Sequence, residues 1–329
     1  MKTRLLLGCV LFFSLLASAA AKEDREGPLQ GLVRRIRERV KDPSLIDLDY
    51  TLHEFTRPPE RQKALNIYKG RIQYSRSLIP RILFRIFDDR IRESLESLER
   101  IRPLGPERCL AAFEKLLSKG ETLKTGDLVL ISAMTAYSLS GRKYADIEYS
   151  HTGMVWARKD GLYVLQVHPQ ADFLMLPMID FILPAHPKNF ALGIYRHKDG
   201  IDEIEMDYLF REILKHKDRI IFDDYCVNTP PIRDPEIYFQ RNNFFYCTEF
   251  LYLCYRYILN RNDFLSSKRP SMKSLVHQFV PPNPVVDFTV NLIDNMDREK
   301  DNFIIVSNHF SESDQFRELL RLEKEYKTP

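Results

Sequence analysis

The chain has 329 residues, 44% of them hydrophobic and 29% charged, which is enough apolar material for a globular fold with a substantial core. Its 49 basic and 46 acidic residues leave a net charge of +3, too balanced for electrostatics alone to argue for a nucleic-acid partner. The sequence carries no groove-reading motif, RNA-binding signature, paired-cysteine zinc spacing, phosphate loop or dinucleotide fingerprint, so no nucleic acid, metal or nucleotide cofactor is expected.

Residues 1–21 read as a secretory signal peptide. Met1-Lys2-Thr3-Arg4 supplies positive charge, Leu5 to Leu16 is an apolar run short for a membrane span, and Ala17-Ser18-Ala19-Ala20-Ala21 offers small-residue cleavage sites after Ala19 or Ala21. The expectation is export, to a periplasm or to the exterior, with no stable transmembrane anchor after cleavage. Cys9 lies early in the apolar run instead of at its end, which argues against a lipid attached there. Cleavage leaves Cys109, Cys226, Cys247 and Cys254, too few for a disulfide scaffold in a chain of this size. Cys247 and Cys254 fall on one predicted helix, about 10 Å apart along its axis, and do not bridge within it. A bridge from Cys109 to Cys226 and a pair of buried free thiols both stay open.

Residues 22–120 form a helical N-terminal region, with Leu32, Ile36 and Val40 on one apolar face and Ile91, Leu95, Leu98 and Ile101 on another. Pro58-Pro59, Pro80, Pro103 and Pro106 punctuate it. The basic run from Val33 to Lys41 contains Glu38 and has a narrow apolar stripe, which suits a solvated helix better than a membrane surface. From Thr125 the period changes. Gly126-Asp127 leads into a buried-strand pattern at Leu128-Val129-Leu130-Ile131. Thr152 to Ala157 and Leu162 to Val167 flank the turn Arg158-Lys159-Asp160-Gly161 and read as an antiparallel hairpin. A strand is expected at Phe190 to Arg196, a helix at Ile204 to Lys217, and a loop at Pro230, Pro231 and Pro235 before a helix that opens at Cys247. Beyond lie Pro281-Pro282-Asn283-Pro284, a strand at Asn302 to Ser307 and a charged terminal helix at Asp314 to Lys327.

In Tyr246-Cys247-Thr248-Glu249 a cysteine stands where an apolar helix begins. Unpaired N–H groups and the positive end of the macrodipole there favour thiolate over thiol. Phe250, Leu251, Cys254 and Ile258 share its helical face and should bury against a sheet, which marks Cys254 as a core residue. His151, in Tyr149-Ser150-His151-Thr152-Gly153-Met154-Val155, would take the thiol proton if the fold brings the two together. The alternative for Cys247 is an ordinary buried helix cysteine. Tyr149, two residues before His151 and so on the same strand face, either lines the site or is a half-buried strand tyrosine.

Gly126-Asp127-Leu128-Val129, Tyr149 to Val155, Tyr163 to Val167, Ile194-Tyr195-Arg196, Phe222-Asp223-Asp224-Tyr225 and Tyr246-Cys247-Thr248-Glu249 occur in one order across residues 121 to 258. This ordered set resembles the YiiX/YaeF-like branch of the circularly permuted NlpC-type papain-like proteins. The resemblance implies an α+β fold in which a permuted papain-like domain, residues 121–265, packs an antiparallel sheet on the catalytic helix. The N-terminal helical region precedes it, and residues 266–329 form a C-terminal extension packed on the core. It further implies Cys247 as nucleophile, His151 as base and Gln166 as the third residue, where many relatives carry an acid. A neutral amide orients the ring but stabilises imidazolium less than a carboxylate does. His168 is the rival to Gln166, because the turn decides which residue faces His151.

Relatives hydrolyse peptide-like amide bonds or move lipid acyl groups. The expected function is therefore an exported thiol hydrolase that forms an acyl-enzyme at Cys247 on an amide bond of a cell-envelope peptide, without cofactor. A lipid acyl hydrolase or acyltransferase of the envelope, and a non-catalytic binding protein that keeps the fold, are the alternatives.

Overall fold

The computed structural model describes residues 27–42, 100–133, 148–168, 172–184, 188–222, 243–259, 284 and 307–326. Residues 1–21, Cys226, Asp224-Tyr225, the face marked by Ile91, Leu95 and Leu98, and the proline-marked loop all lie outside them.

In chain order the elements are α1 (Pro28–Lys41), β1 (Ile101–Arg102), α2 (Pro106–Ser118), β2 (Leu128–Ala133), β3 (His151–Arg158), β4 (Gly161–His168) and β5 (Asp172–Pro177). There follow α3 (Met178–Ile182), β6 (Asn189–His197), α4 (Glu203–Lys215), β7 (Ile220–Phe222), β8 (Asn243–Phe245) and α5 (Cys247–Leu259). The last are α6 (Asn308–Ser311), β9 (Phe316–Leu322) and β10 (Glu325–Tyr326). The architecture is α+β. Six strands form one antiparallel sheet in the order β5-β4-β3-β2-β6-β9, flanked by a two-stranded β1–β10 ribbon and a parallel β7–β8 pair.

Both faces of the sheet are covered, which is why its central strand reads as an unbroken apolar run instead of an alternating one. On one face Val129, Ile131, Val155, Val164, Leu192 and Ile194 pack with Leu32 and Ile36 of α1, Phe113 of α2 and Phe181 of α3. On the other, Leu128, Leu130, Met154, Trp156, Leu165 and Tyr195 pack with Phe210 of α4 and Phe250 and Cys254 of α5. Helices α1 and α2 each begin with proline after glycine, where proline's fixed φ and missing N–H cost nothing. Their apolar stripes are thus one wall of the same core that holds the sheet. In α1 the position turned inward beyond Ile36 is Arg39, while Val40 is only half-buried.

The motifs Gly126-Asp127 and Ile194-Tyr195-Arg196 meet in space. Arg196 donates to both carboxylate oxygens of Asp127 at 2.7 Å and to the Thr122 carbonyl at 2.6 Å. Burial pushes the Asp127 carboxyl upward, and the guanidinium works against that shift. Glu121 in turn accepts from Arg317 of β9 at 2.7 and 3.2 Å, so the strand start, β6 and β9 are tied together by charge.

Two local expectations are corrected. The helix expected at Asp314 to Lys327 is strand β9 followed by β10. Phe316 and Leu320 sit four apart and so imitate a helical stripe, but a register shift opposite Ile194 and Tyr195 leaves Leu319 unpaired. That bulge turns Phe316 into the α5 layer and Leu320 into the α2 layer. Ile101, read as helical, belongs to β1 and pairs with Tyr326. Of the two alternatives left open for Cys109, the structure has the buried free thiol. Of the strand expected at Asn302 to Ser307 only Ser307 is described; it is a buried turn residue whose hydroxyl donates to the Tyr149 carbonyl at 2.6 Å.

Candidate active site

His151 opens β3 opposite Ile131 of β2, and the pairing of Met154 with Leu165 carries Gln166 alongside it on β4. Both side chains fall on the face covered by α1, α2 and α3. His151 Nε2 is hydrogen-bonded to Gln166 Oε1. An amide oxygen only accepts, so this partner fixes the proton on Nε2 and leaves Nδ1 as the basic nitrogen.

Cys247 arrives from the opposite layer. Strand β8, paired in parallel with β7, runs through Tyr246 directly into α5. The Tyr246 carbonyl accepts from Phe250 N at 3.0 Å, so the helix ladder starts there and Cys247 is the first helical residue. Its amide and those of Thr248 and Glu249 therefore have no acceptor a turn back in the helix. The sulfur meets His151 and also Thr152, whose side chain points to the α5 face of the sheet. The thiol thus sits at the start of β3, where residues from both faces reach it.

The electrostatics of this group differ from those of the other described thiols. Burial alone would raise the Cys247 thiol, but the charge and hydrogen bond of His151, with the polar groups of Thr152 beside the sulfur, bring it below its usual value. Burial likewise opposes a charged His151, yet the Cys247 charge and the bonds to Cys247 and Gln166 hold its ring above the usual imidazole value. Both shifts favour a thiolate–imidazolium pair. Cys109 is pushed up to about 12 by burial, and burial also raises Cys254 strongly. Thr152 Oγ1 is fully buried and has no hydrogen-bond partner of ordinary geometry.

Between the rivals Gln166 and His168, the hydrogen bond to the ring belongs to Gln166. His168 instead packs edge-on against His151, with centroids 5.4 Å apart and planes at 89°. Burial, and then repulsion from His151, push His168 down to about 3, so it is neutral at ordinary pH. Phe181 of α3 lies against the His151 ring with centroids 5.7 Å apart. Sequence reasoning missed Phe181 and Thr152. A signal for the former was present in Gly153: a Cβ there would stand 2.3 Å from Val164 Cγ1 and 3.3 Å from Phe181 Cζ. Glycine two residues after His151 leaves the room into which Phe181 lies down.

Tyr149 does not share the face of His151. Residues 148–150 precede the regular strand, so alternation does not run through them, and Tyr149 turns into the α4–α5 layer. Its hydroxyl lies 3.3 Å from that of Tyr195, over Gly193. Among the described residues no group of three or more His, Cys, Asp or Glu side chains is arranged to hold a metal, and no helix is long and apolar enough to cross a membrane.

No family model and no curated protein matches the chain. Among solved structures, the crystal structure of metalloprotein yiiX from Escherichia coli O157:H7 is similar, with a TM-score of 0.37 at 17% identity, covering 62% of this chain and 98% of that one. A likeness of that size assigns no chemistry to this chain.

Proposed function

We propose that the protein is an exported thiol hydrolase of the circularly permuted papain-like kind, which cleaves an amide bond through an acyl-enzyme at Cys247. The observation that carries this reading is the contrast among the described thiols. Two are buried and raised, while the one at a helix start is lowered by an imidazole whose far nitrogen is held by an amide. Lowered thiol and raised imidazole are what nucleophilic catalysis at neutral pH requires.

In this reading Cys247 Sγ, already a thiolate, attacks the carbonyl carbon and drives the carbonyl electrons onto oxygen. Amides at the start of α5, that of Cys247 included, face the developing charge. As the C–N bond breaks, His151 gives its Nδ1 proton to the leaving amine, and the acyl group stays on sulfur as a thioester. Water then loses a proton to His151 Nδ1 and attacks the thioester, releasing acid and restoring the ion pair. Gln166 keeps Nε2 occupied throughout, so the proton traffic stays on Nδ1. The leader at residues 1–21 favours a cell-envelope peptide as substrate.

The test is hydrolysis of a panel of envelope peptides and lipid esters by wild type and Cys247→Ser. Turnover of peptides that is lost in the variant is expected, since a hydroxyl fits the space of the thiol but is far harder to deprotonate. Equal turnover in the two proteins removes Cys247 from the mechanism. Turnover of esters alone moves the substrate class to lipids.

A further inference from the structure

We propose that Arg39, in the N-terminal helix α1, is a positioning residue for His151 and acts through α3 and the ring of Phe181. This rests on the reading of His151 and Cys247 as a catalytic pair. Arg39 is only 6% exposed, although it lies in a charged run that reads as a solvated face. Its Nη1 donates to the carbonyls of Ile179 and Leu183 at 3.3 Å each, and its Nη2 pairs with the carboxylate of Asp180. All three acceptors belong to α3 or the residue that ends it.

Helix α3 has five residues, too few to hold itself by its own ladder, so its position is set by what grips it. Beside the apolar packing of Met178, Ile179 and Ile182, a second polar grip comes from Asn189 at the start of β6, whose amide donates to the carbonyls of Phe181 at 2.9 Å and Ile182 at 3.0 Å. Between these two clamps projects Phe181, which fills the space over Gly153 and meets the His151 ring. An imidazole that must present Nε2 to Gln166 and Nδ1 to Cys247 at once has little rotational freedom to spare. A wall against its ring removes the alternative rotamers and keeps water off that side. The guanidinium fork supplies three directed bonds that a lysine does not reproduce. This gives the N-terminal helix a part in the chemistry without contact to substrate.

A merely structural Arg39 would affect melting alone, so the readout is the pH dependence of Cys247 alkylation by iodoacetamide, followed by mass spectrometry alongside thermal melting. In Arg39→Met and in Phe181→Leu the alkylation rate at mildly acidic pH should fall about tenfold, the effect of a thiol pKa raised by one unit. At alkaline pH, where the thiolate is complete, the rates should match wild type. Arg37→Gln, on the same helix as Arg39, loses only an exposed pair with Glu114 of α2 at 2.7 Å and should keep the wild-type profile. Lower melting with unchanged profiles in both variants overturns the proposal. So does a shifted profile in Arg39→Met beside an unshifted one in Phe181→Leu, because the ring is then not the route. Should Arg39→Met not fold, Arg39→Lys takes its place with the same two outcomes. A wild-type Cys247 that alkylates like an ordinary thiol refutes the catalytic pair itself, a different result from either.

Discussion

Replacing Gln166 by methionine keeps most of the side-chain volume and removes the acceptor that faces His151 Nε2. The bond lost is one made chiefly to the charged ring, since imidazolium donates more strongly than neutral imidazole, and Gln166 is 3% exposed, so little water can substitute for it. A hydrogen bond to a charged group contributes about 1.5–3 kcal/mol. At 1.36 kcal/mol per unit this lowers the pKa of His151 by about one to two units. Losing the bond leaves the ionisation of the thiol beside an already charged ring unchanged and shifts the coupled pair toward neutral thiol and neutral imidazole. The rate of a thiolate–imidazolium enzyme climbs as the thiol ionises and falls as the imidazolium deprotonates. The variant's bell should therefore narrow from the alkaline side, that limb moving down while the acid limb does not move up. Relative to the neutral pair, the ion pair should be about 10- to 100-fold scarcer. The assay is the pH profile of kcat/KM on any peptide the protein turns over. An unchanged profile in Gln166→Met refutes the assignment of Gln166 as the orienting residue. The same narrowing in His168→Phe, which preserves an aromatic edge against His151, would show that the ring depends on His168 for more than packing.

Two further outcomes follow from burial. Cys254→Ser should leave Cys247 labelling intact and cost about 1–3 kcal/mol in urea unfolding, because it places a hydroxyl in a fully buried apolar site. Asp127→Asn should leave the half-buried Arg196 of β6 with Glu121 at 3.5 Å as the carboxylate beside it; breaking a buried pair costs about 3–5 kcal/mol, and Glu121 and partial exposure should hold the loss at or below the lower end. Urea denaturation at neutral pH checks it, and a change below measurement error would mean that Glu121 alone satisfies Arg196.

What the sequence disclosed was whatever local pattern controls. The start of α5 at Cys247, the β3–β4 hairpin and the placing of His151 and Gln166 on adjacent strands all follow from helix-start chemistry and strand alternation, and the structure has them at those positions. The terminal strand escaped because one unpaired residue, Leu319, makes a two-residue period look like a four-residue one. Tyr149 was placed on the wrong face because alternation was carried back beyond the point where the regular strand begins. Arg39 was not legible at all, and Phe181 left only the indirect mark of Gly153. The contacts of Arg39 join residues about 140 apart, and a buried arginine inside a basic run has no local mark. Helix α1 announced through its stripe that it needs a partner, but which face of which sheet it covers is a property of the whole chain.

The central claim is that Cys247 is a thiolate paired with His151, and site-resolved alkylation across pH measures it in intact protein. Wild-type Cys247 should react at mildly acidic pH while Cys109 and Cys254 stay silent, and in His151→Ala its onset should move up toward that of an ordinary thiol, near about 8.5. A Cys247 that reacts only in that ordinary range in wild type, or whose profile is the same in His151→Ala, contradicts the account.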